Sequence, residues 1–373
     1  MEILFWCSVG LIAYVYAGYP AVLGAWAALV RTGRADAGAA AGGCADEALP
    51  GVSVIIAARN EARRLPARID NLLAADYPQD RLQIVVASDG STDHTVEALA
   101  PYMPRIEVVM LPPRGKAAAL NAAVSRARYP ILVFADARQR FAPDAIRRLV
   151  RHFSHGSVGA VSGELILDCE RAAAAGTDLQ AAPSSTIADG VGAYWTYEKW
   201  LRRHEAIVGS TLGVTGAIYA MRRTLWQPLP DDTILDDVLG PMRVVLRRYR
   251  VSFDDTAHAF DETAPDAAVE TRRKVRTLAG NFQLLALEPR LLVPIVNPVW
   301  FQFVSHKLGR LLVPYALGAA LVSSLWLASA SWIYAMAAAG QVMFYGLAGY
   351  GAVLERRARH AAATAAEVIH EAA

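Results

Sequence analysis

Cysteine is scarce in this chain. The three present, Cys7, Cys44 and Cys169, show neither metal-ligand spacing nor a disulfide framework. That excludes a disulfide-stapled scaffold and a cysteine-based zinc site, and it fits a reducing compartment. Excess charge is missing too. The formal net charge is only +2, and without a concentrated basic face nucleic acid is not an expected partner. No internal repeat is evident. The absence that organises the rest is of any charged residue from Ile3 to Val30 and again from Leu311 to Leu354. A bilayer-spanning helix needs about 20 apolar residues. The first run therefore fits one span, and the second fits two with a turn near Ser329–Ser331.

The first run is not a signal peptide. No basic segment precedes it, since the chain starts Met1-Glu2, and the run is too long. It reads as a retained anchor. Arg31 and Arg34 follow the first span, Lys307 and Arg310 precede the second, and Arg356, Arg357 and Arg359 follow the third. With three spans all of these clusters fall on one side, which the positive-inside rule makes cytoplasmic. The expected localisation is the inner (cytoplasmic) membrane, multi-pass, with the middle of the chain facing the cytoplasm.

The expected organisation is an anchor over 1–31, an Ala/Gly-rich linker over 32–50, a cytoplasmic domain over 51–288, and an interfacial segment over 289–309. Two spans over 310–355 and a cytoplasmic tail over 356–373 complete it. The interfacial segment is uncharged from Leu291 to Ser305 but short, and it carries Pro294 and Pro298. A buried core helix is the competing reading there.

In the middle, apolar β-branched runs alternate with helical spacing. Val52–Ala57, Leu82–Ala87, Ile106–Leu111 and Ile131–Ala135 read as strands. Helices are expected over Glu61–Leu73, Asp93–Ala100 and Lys116–Arg128, with another opened by Pro143-Asp144. This alternation implies an α/β domain with a mostly parallel sheet, whose ligands bind beyond the carboxyl ends of the strands. Asp168–Gly190 reads as a polar excursion. Gly192–Arg203 reads as a helix dense in aromatics.

Polar residues gather at those strand ends. Ala58-Arg59-Asn60-Glu61 follows the first strand, Asp89-Gly90-Ser91-Thr92-Asp93 the second, and Asp136-Ala137-Arg138 the fourth. Gly115-Lys116 opens a helix, where a cation and free backbone N–H groups suit phosphate. Each alone is commonplace: an Asp-Gly turn is usually a turn, and a terminal acid is often a helix cap. A Gly-x-Gly-x-x-Gly turn is absent after the first strand, so a dinucleotide-dependent oxidoreductase does not fit.

In this order and spacing, the four elements resemble glycosyltransferase family 2, the inverting nucleotide-sugar enzymes with a Rossmann-like glycosyltransferase-A domain. Gly216-Ala217 with Arg222-Arg223, Leu235-Asp236-Asp237, and Arg273-Lys274-Val275-Arg276 extend the resemblance, which covers roughly Val52 to Gln283. With the flanking spans the chain is similar to the membrane-embedded branch that includes hyaluronan, chitin and cellulose synthases.

The resemblance implies roles. Ala58, Asn60, Glu61 and Asp89 would line the nucleotide, and Lys116 would contact the nucleotide or its phosphates. Asp136 would hold Mg²⁺ or Mn²⁺ on the diphosphate. Asp237 would be the general base, with Asp236 and Gly216 on the acceptor side. Arg273 and Arg276 would steady the departing diphosphate; a basic face for lipid headgroups is the other use of that cluster. Trp195 and Trp200 offer flat rings to an acceptor sugar, or else pack against the sheet or membrane interface. The donor would be a UDP-sugar, and the acceptor a polysaccharide or lipid-linked glycan. A homo-oligomer or polysaccharide-export partners would complete the machinery.

Two departures stand out. Arg138 occupies the place of a second metal-binding acid, so dependence on metal is expected to be weak; Arg138 faces either the diphosphate or solvent. Thr277 stands where processive synthases carry Trp, which leaves single-sugar transfer and polymerisation both open. The altered metal motif also keeps a non-catalytic alternative in view, a nucleotide-sugar-binding subunit of an exopolysaccharide complex.

Overall fold

The structure is a computed structural model that describes residues 1–32, 49–167, 186–261 and 267–371. Most of the linker 32–50, and the excursion as far as residue 185, lie outside the described residues. The chain divides into two compact units, Pro20–Lys307 and Met1–Tyr19 with Leu308–Ala373.

The first unit is built on an eight-stranded sheet. Its strands are β1 (Val52–Ala58), β2 (Leu82–Asp89), β3 (Glu107–Leu111), β4 (Ile131–Ala135), β5 (Arg140–Phe141), β6 (Val158–Leu167), β7 (Ile218–Arg222) and β8 (Arg250–Asp261). They lie in the order β3-β2-β1-β4-β7-β6-β8-β5. β1 pairs in parallel with β2 and β4, and β2 with β3.

The residues of β1 explain why it is central. Val52, Val54, Ile55 and Ile56 are all buried, as a strand covered on both faces requires. Val54 and Ile56 pack with Leu65, Ile69 and Leu72 of the helix Leu65–Leu73. Ile55 points the other way, into a cluster with Ala119, Leu120 and Ala123 of the helix Lys116–Ser125. Alternation with period two thus feeds two cores from one strand. Burying each large aliphatic side chain contributes roughly 1.5–3 kcal/mol.

Register decides where the polar ends meet. Val52 lies beside both Leu82 and Ile131, so β1, β2 and β4 end along one edge. β7 joins β4 antiparallel: Ala135 pairs with Ile218, which sets the start of β7 beside the end of β4. Gly216 and Asp136, eighty residues apart in the chain, therefore come to the same edge.

Helices form the second unit. Glu2–Ala13 packs with Gly309–Leu327, and Phe5 meets Tyr334 edge-on with ring centroids 5.0 Å apart. Three helical runs are long and apolar enough to cross a membrane, Glu2–Arg31, Trp300–Leu327 and Trp332–Leu354. Trp326 and Trp332 expose three quarters of their surface. The chain is accordingly a membrane protein in architecture. The middle run begins at Trp300, within the segment read from sequence as interfacial. Pro294 and Pro298 both precede Trp300, so neither interrupts the helix after it starts.

Candidate active site

The loops at the sheet edge are tied together by the residues that mark them in sequence. Asn60 adopts a left-handed backbone (φ 57°), a conformation its short amide side chain tolerates. Its Oδ1 accepts the Thr92 N–H at 2.8 Å, and its own N–H donates to Ser91 Oγ at 3.1 Å. The Glu61 carboxylate takes Arg64 at 3.0 Å, while the Glu61 N–H donates to Thr95 Oγ1. Asp89 is buried and accepts the backbone N–H groups of Arg114 at 2.7 Å and Gly115 at 3.0 Å. These three acids and amides therefore shape the β1 and β2 loops, and Ala58 ends β1 beneath them. Gly115 has φ 98°, which only glycine adopts without strain, and it starts the helix that carries Lys116.

Lys116 is the hub. Its Nζ lies 3.2 Å from Asp236 Oδ2 and 3.5 Å from Asp136 Oδ1. A narrow cleft lies among Ala57, Lys116, Asp136, Gly216, Tyr219 and Asp236. Burial alone would push the Lys116 ammonium down, but Asp236, then Asp136 and Asp237, more than reverse this and hold it above its ordinary value.

Asp236 and Asp237 open the helix Asp236–Leu246, where the helix dipole favours acids. The Asp237 carbonyl accepts the Val214 N–H at 2.9 Å, which ties this helix start to the loop before β7. A Cβ built on Gly216 would stand 3.4 Å from Asp237 Oδ2. Burial, and next the neighbouring Asp236 charge, push the Asp237 carboxyl up to about 6 against the opposing pull of Lys116. That value places it near neutral pH, where a general base works well.

The helix Ala267–Leu287 carries Arg273 and Arg276. Arg276 is exposed; the side chain of Arg273 lies outside the described residues. Lower on this helix, Gln283 accepts the Ile234 N–H at 2.9 Å and donates to the Asp232 carbonyl at 2.8 Å. Gly280 permits contact that no other residue would, since a Cβ there would lie 2.5 Å from Leu235. The arginine-bearing helix is thus latched to the chain directly before Asp236.

One expected site residue, Trp200, is placed differently. Trp200 stacks on His204 at 3.9 Å and lies against Gly24 of the first apolar helix, so it is not brought to the carboxylates. Trp195 lies in the helix Thr186–Val208, with its side chain outside the described residues. Arg138 is committed to a carboxylate of its own chain. It pairs with Asp261 at the end of β8, at 2.6 Å, and Gln139 donates to the same oxygen at 3.1 Å.

Sequence reasoning missed three residues here. Tyr219 is buried on β7, stacked on Phe134 at 4.3 Å, and its hydroxyl has no hydrogen-bond partner among the described residues. Burial, then Asp236, Asp237 and Asp136, raise its phenol well above the usual value. A lone tyrosine in the otherwise apolar start of β7 was the available signal. Arg202 donates to Thr215 Oγ1 at 2.8 Å, next to Gly216. Arg68 is almost wholly buried over the Phe141 ring, where burial lowers it to about 9 despite the opposing attraction of Asp136.

The donor set bears on a metal. Among the described residues no group of three His, Cys, Asp or Glu converges on one point. A divalent cation that takes most of its oxygens from phosphate needs only one or two carboxylates, and Asp136, half-exposed in the cleft, fits as one.

This sheet has the glycosyltransferase-A-type fold. A mannosyltransferase from Pyrobaculum calidifontis, solved with GDP-Man and Mn²⁺, superposes with TM-score 0.65 over 92% of both chains, at 24% identity. Residues 53–177 match the family described as Glycosyl transferase family 2, and the chain carries a domain of that family. A poly-beta-1,6-N-acetyl-D-glucosamine synthase of Staphylococcus aureus is 22% identical over 247 residues, 64% of this chain and 56% of that protein. The chain thus spans little more than half of that relative. A beta-monoglucosyldiacylglycerol synthase of Synechocystis is 30% identical over 118 residues, 30% of this chain and 25% of that protein.

Proposed function

We propose that the protein is an inverting glycosyltransferase that moves a sugar from a nucleoside-diphosphate sugar, a UDP-sugar in the first instance, to a hydroxyl of a glycan or lipid-linked acceptor. It works at the cytoplasmic face of the inner membrane. The observation that carries this reading is the Lys116 hub between Asp136 and Asp236, with Asp237 adjoining it and raised toward neutral pH.

The acceptor oxygen attacks the anomeric carbon from the face opposite the diphosphate. As that bond forms, the bond to the β-phosphate oxygen breaks. The hydroxyl proton passes to the Asp237 carboxylate, which must reach it. Lys116 supplies positive charge for the departing diphosphate, with Arg273 and Arg276 as further sources of it. A Mg²⁺ or Mn²⁺ on Asp136, when bound, would neutralise part of the same charge. Arg31, at the end of the first candidate span, supports the cytoplasmic orientation; Lys307, read from sequence as preceding the second span, falls within the run Trp300–Leu327 and does not bear on it.

The test gives membranes carrying the full chain a panel of radiolabelled UDP-sugars and GDP-mannose, and scores nucleotide release and product length. Wild type should transfer from one donor, and Asp237→Asn should slow transfer by about 10²–10⁴. Nucleotide binding without any transfer would instead mark a non-catalytic subunit. An unchanged rate for Asp237→Asn would remove the assignment. Product length separates single transfer from polymerisation.

A further inference from the structure

A second cavity lies apart from the carboxylate cluster. It encloses about 500 Å³, within the range of small-ligand pockets. Four cationic or cation-forming side chains line it, Arg31, Arg203, Arg250 and His152, against one acid, Asp255. Val30, Ile207 and Phe253 give it an apolar wall.

The guanidinium groups are held in place before any ligand arrives. Arg203 pairs with Asp255 at 2.7 Å. Arg250 donates to the carbonyls of Gly209 at 3.0 Å and Ala206 at 2.8 Å. These bonds fix the orientation of the two guanidinium groups at the cavity. Arg31 is exposed, in the last turn of the helix Tyr19–Thr32.

The position of that helix fixes the depth of the cavity. Glu2–Arg31 is a candidate membrane span, and Arg31 is its final residue. Trp26, one turn earlier, is partly exposed and tilts against Phe301 at 6.3 Å. Tryptophan followed by arginine at a span end marks the headgroup level. A basic cavity with an apolar wall therefore opens where lipid phosphates lie, and basic pockets beside spans recognise anionic headgroups.

We infer that this cavity binds the phosphate of an anionic glycerophospholipid, with the apolar wall against the glycerol and upper acyl chain. Free phosphate shares the charge chemistry but lacks the part that Val30, Ile207 and Phe253 would cover.

Thermal unfolding of the full chain in neutral detergent, titrated with phosphatidylglycerol, phosphatidylcholine or inorganic phosphate, tests it. Phosphatidylglycerol should stabilise the protein saturably, and the other two should not. Arg31→Gln should weaken that binding about fivefold, the share of one interfacial cation. Arg31→Lys should keep it within about twofold, because the attraction is electrostatic. Ile207→Trp fills the cavity without removing charge and should weaken binding as well. Equal stabilisation by phosphatidylcholine would overturn the proposal, as would full stabilisation by inorganic phosphate alone. So would unchanged phosphatidylglycerol affinity in a folded Arg31→Gln or Ile207→Trp protein.

Discussion

Gly216 lies against Asp237: a Cβ added to the glycine would stand 3.4 Å from both Cβ and Oδ2 of the carboxylate side chain. That distance is ordinary van der Waals contact, so alanine is tolerated. A longer side chain would occupy the space through which an acceptor hydroxyl approaches the base. Gly216→Leu should therefore cut transfer at least tenfold while nucleotide binding, which the proposed function places on the β1, β2 and Lys116 elements, stays within about twofold. Calorimetric titration with UDP and with GDP, beside a transfer assay, checks both halves. Equal losses in both would mean that the substitution disturbs the whole sheet edge.

The raised Asp237 carboxyl sets a pH limit. The base must be ionised, and the ionised fraction falls as pH falls through about 6. The transfer rate should be flat above neutrality, halve near pH 6, and drop about tenfold per unit below it. The stability sign is opposite. A carboxyl raised on folding contributes stability below its unfolded value, about 3.9, and that contribution is lost as pH rises through about 6. Asp237→Asn should therefore raise the melting temperature at pH 7.5 and leave it unchanged near pH 4. Calorimetry at the two pH values measures this, and a lower melting temperature at pH 7.5 would contradict it.

What the sequence made legible follows from distance along the chain. β1, β2 and β4 were readable because consecutive β-branched residues announce a strand covered on both faces. β8 was not. Its burial alternates irregularly, and its pairing with β6 crosses ninety residues with two register shifts. The acids at the strand ends could be seen, being polar residues directly after apolar runs. Their neighbours could not: Tyr219 reaches Phe134 only through the antiparallel β4–β7 register, which no local pattern encodes. Trp200 looked like a ligand platform because an aromatic stripe reads alike whether it faces a sugar or a membrane helix. The Arg138 ion pair was hidden because Asp261 is 123 residues away along the chain and is brought beside it only by the β5–β8 pairing.

Tyr219 offers a test of the cleft. A buried hydroxyl without a partner costs about 1–3 kcal/mol. Tyr219→Phe removes that penalty and keeps the stack on Phe134, so the ligand-free protein should gain about 1 kcal/mol or more in stability. Tyr219→Ala removes the stack as well and should cost about 3–5 kcal/mol. Denaturant unfolding of the detergent-solubilised protein compares them. A loss of stability on Tyr219→Phe would mean that the hydroxyl is held by a water or side chain.

Arg138 occupies the position of a second metal-binding acid, yet its guanidinium is committed to Asp261 at 2.6 Å. Asp261 is buried, and among the described residues it receives the Gln139 amide at 3.1 Å besides Arg138. Removing the arginine strands a buried carboxylate, which is expensive, but part of the ion pair is solvent-exposed and Gln139 remains. Arg138→Ala should therefore cost about 1–3 kcal/mol of stability. It should not alter the response of transfer to metal, because the guanidinium faces the end of β8 and Asp136 keeps its place beside Lys116. Titration of EDTA-treated membranes with Mn²⁺, following nucleotide release, would give the same half-saturating concentration for both proteins. A Mn²⁺ requirement that appears or sharpens only in Arg138→Ala would show instead that the arginine supplies charge to the diphosphate, and that the Asp261 pair opens when donor binds.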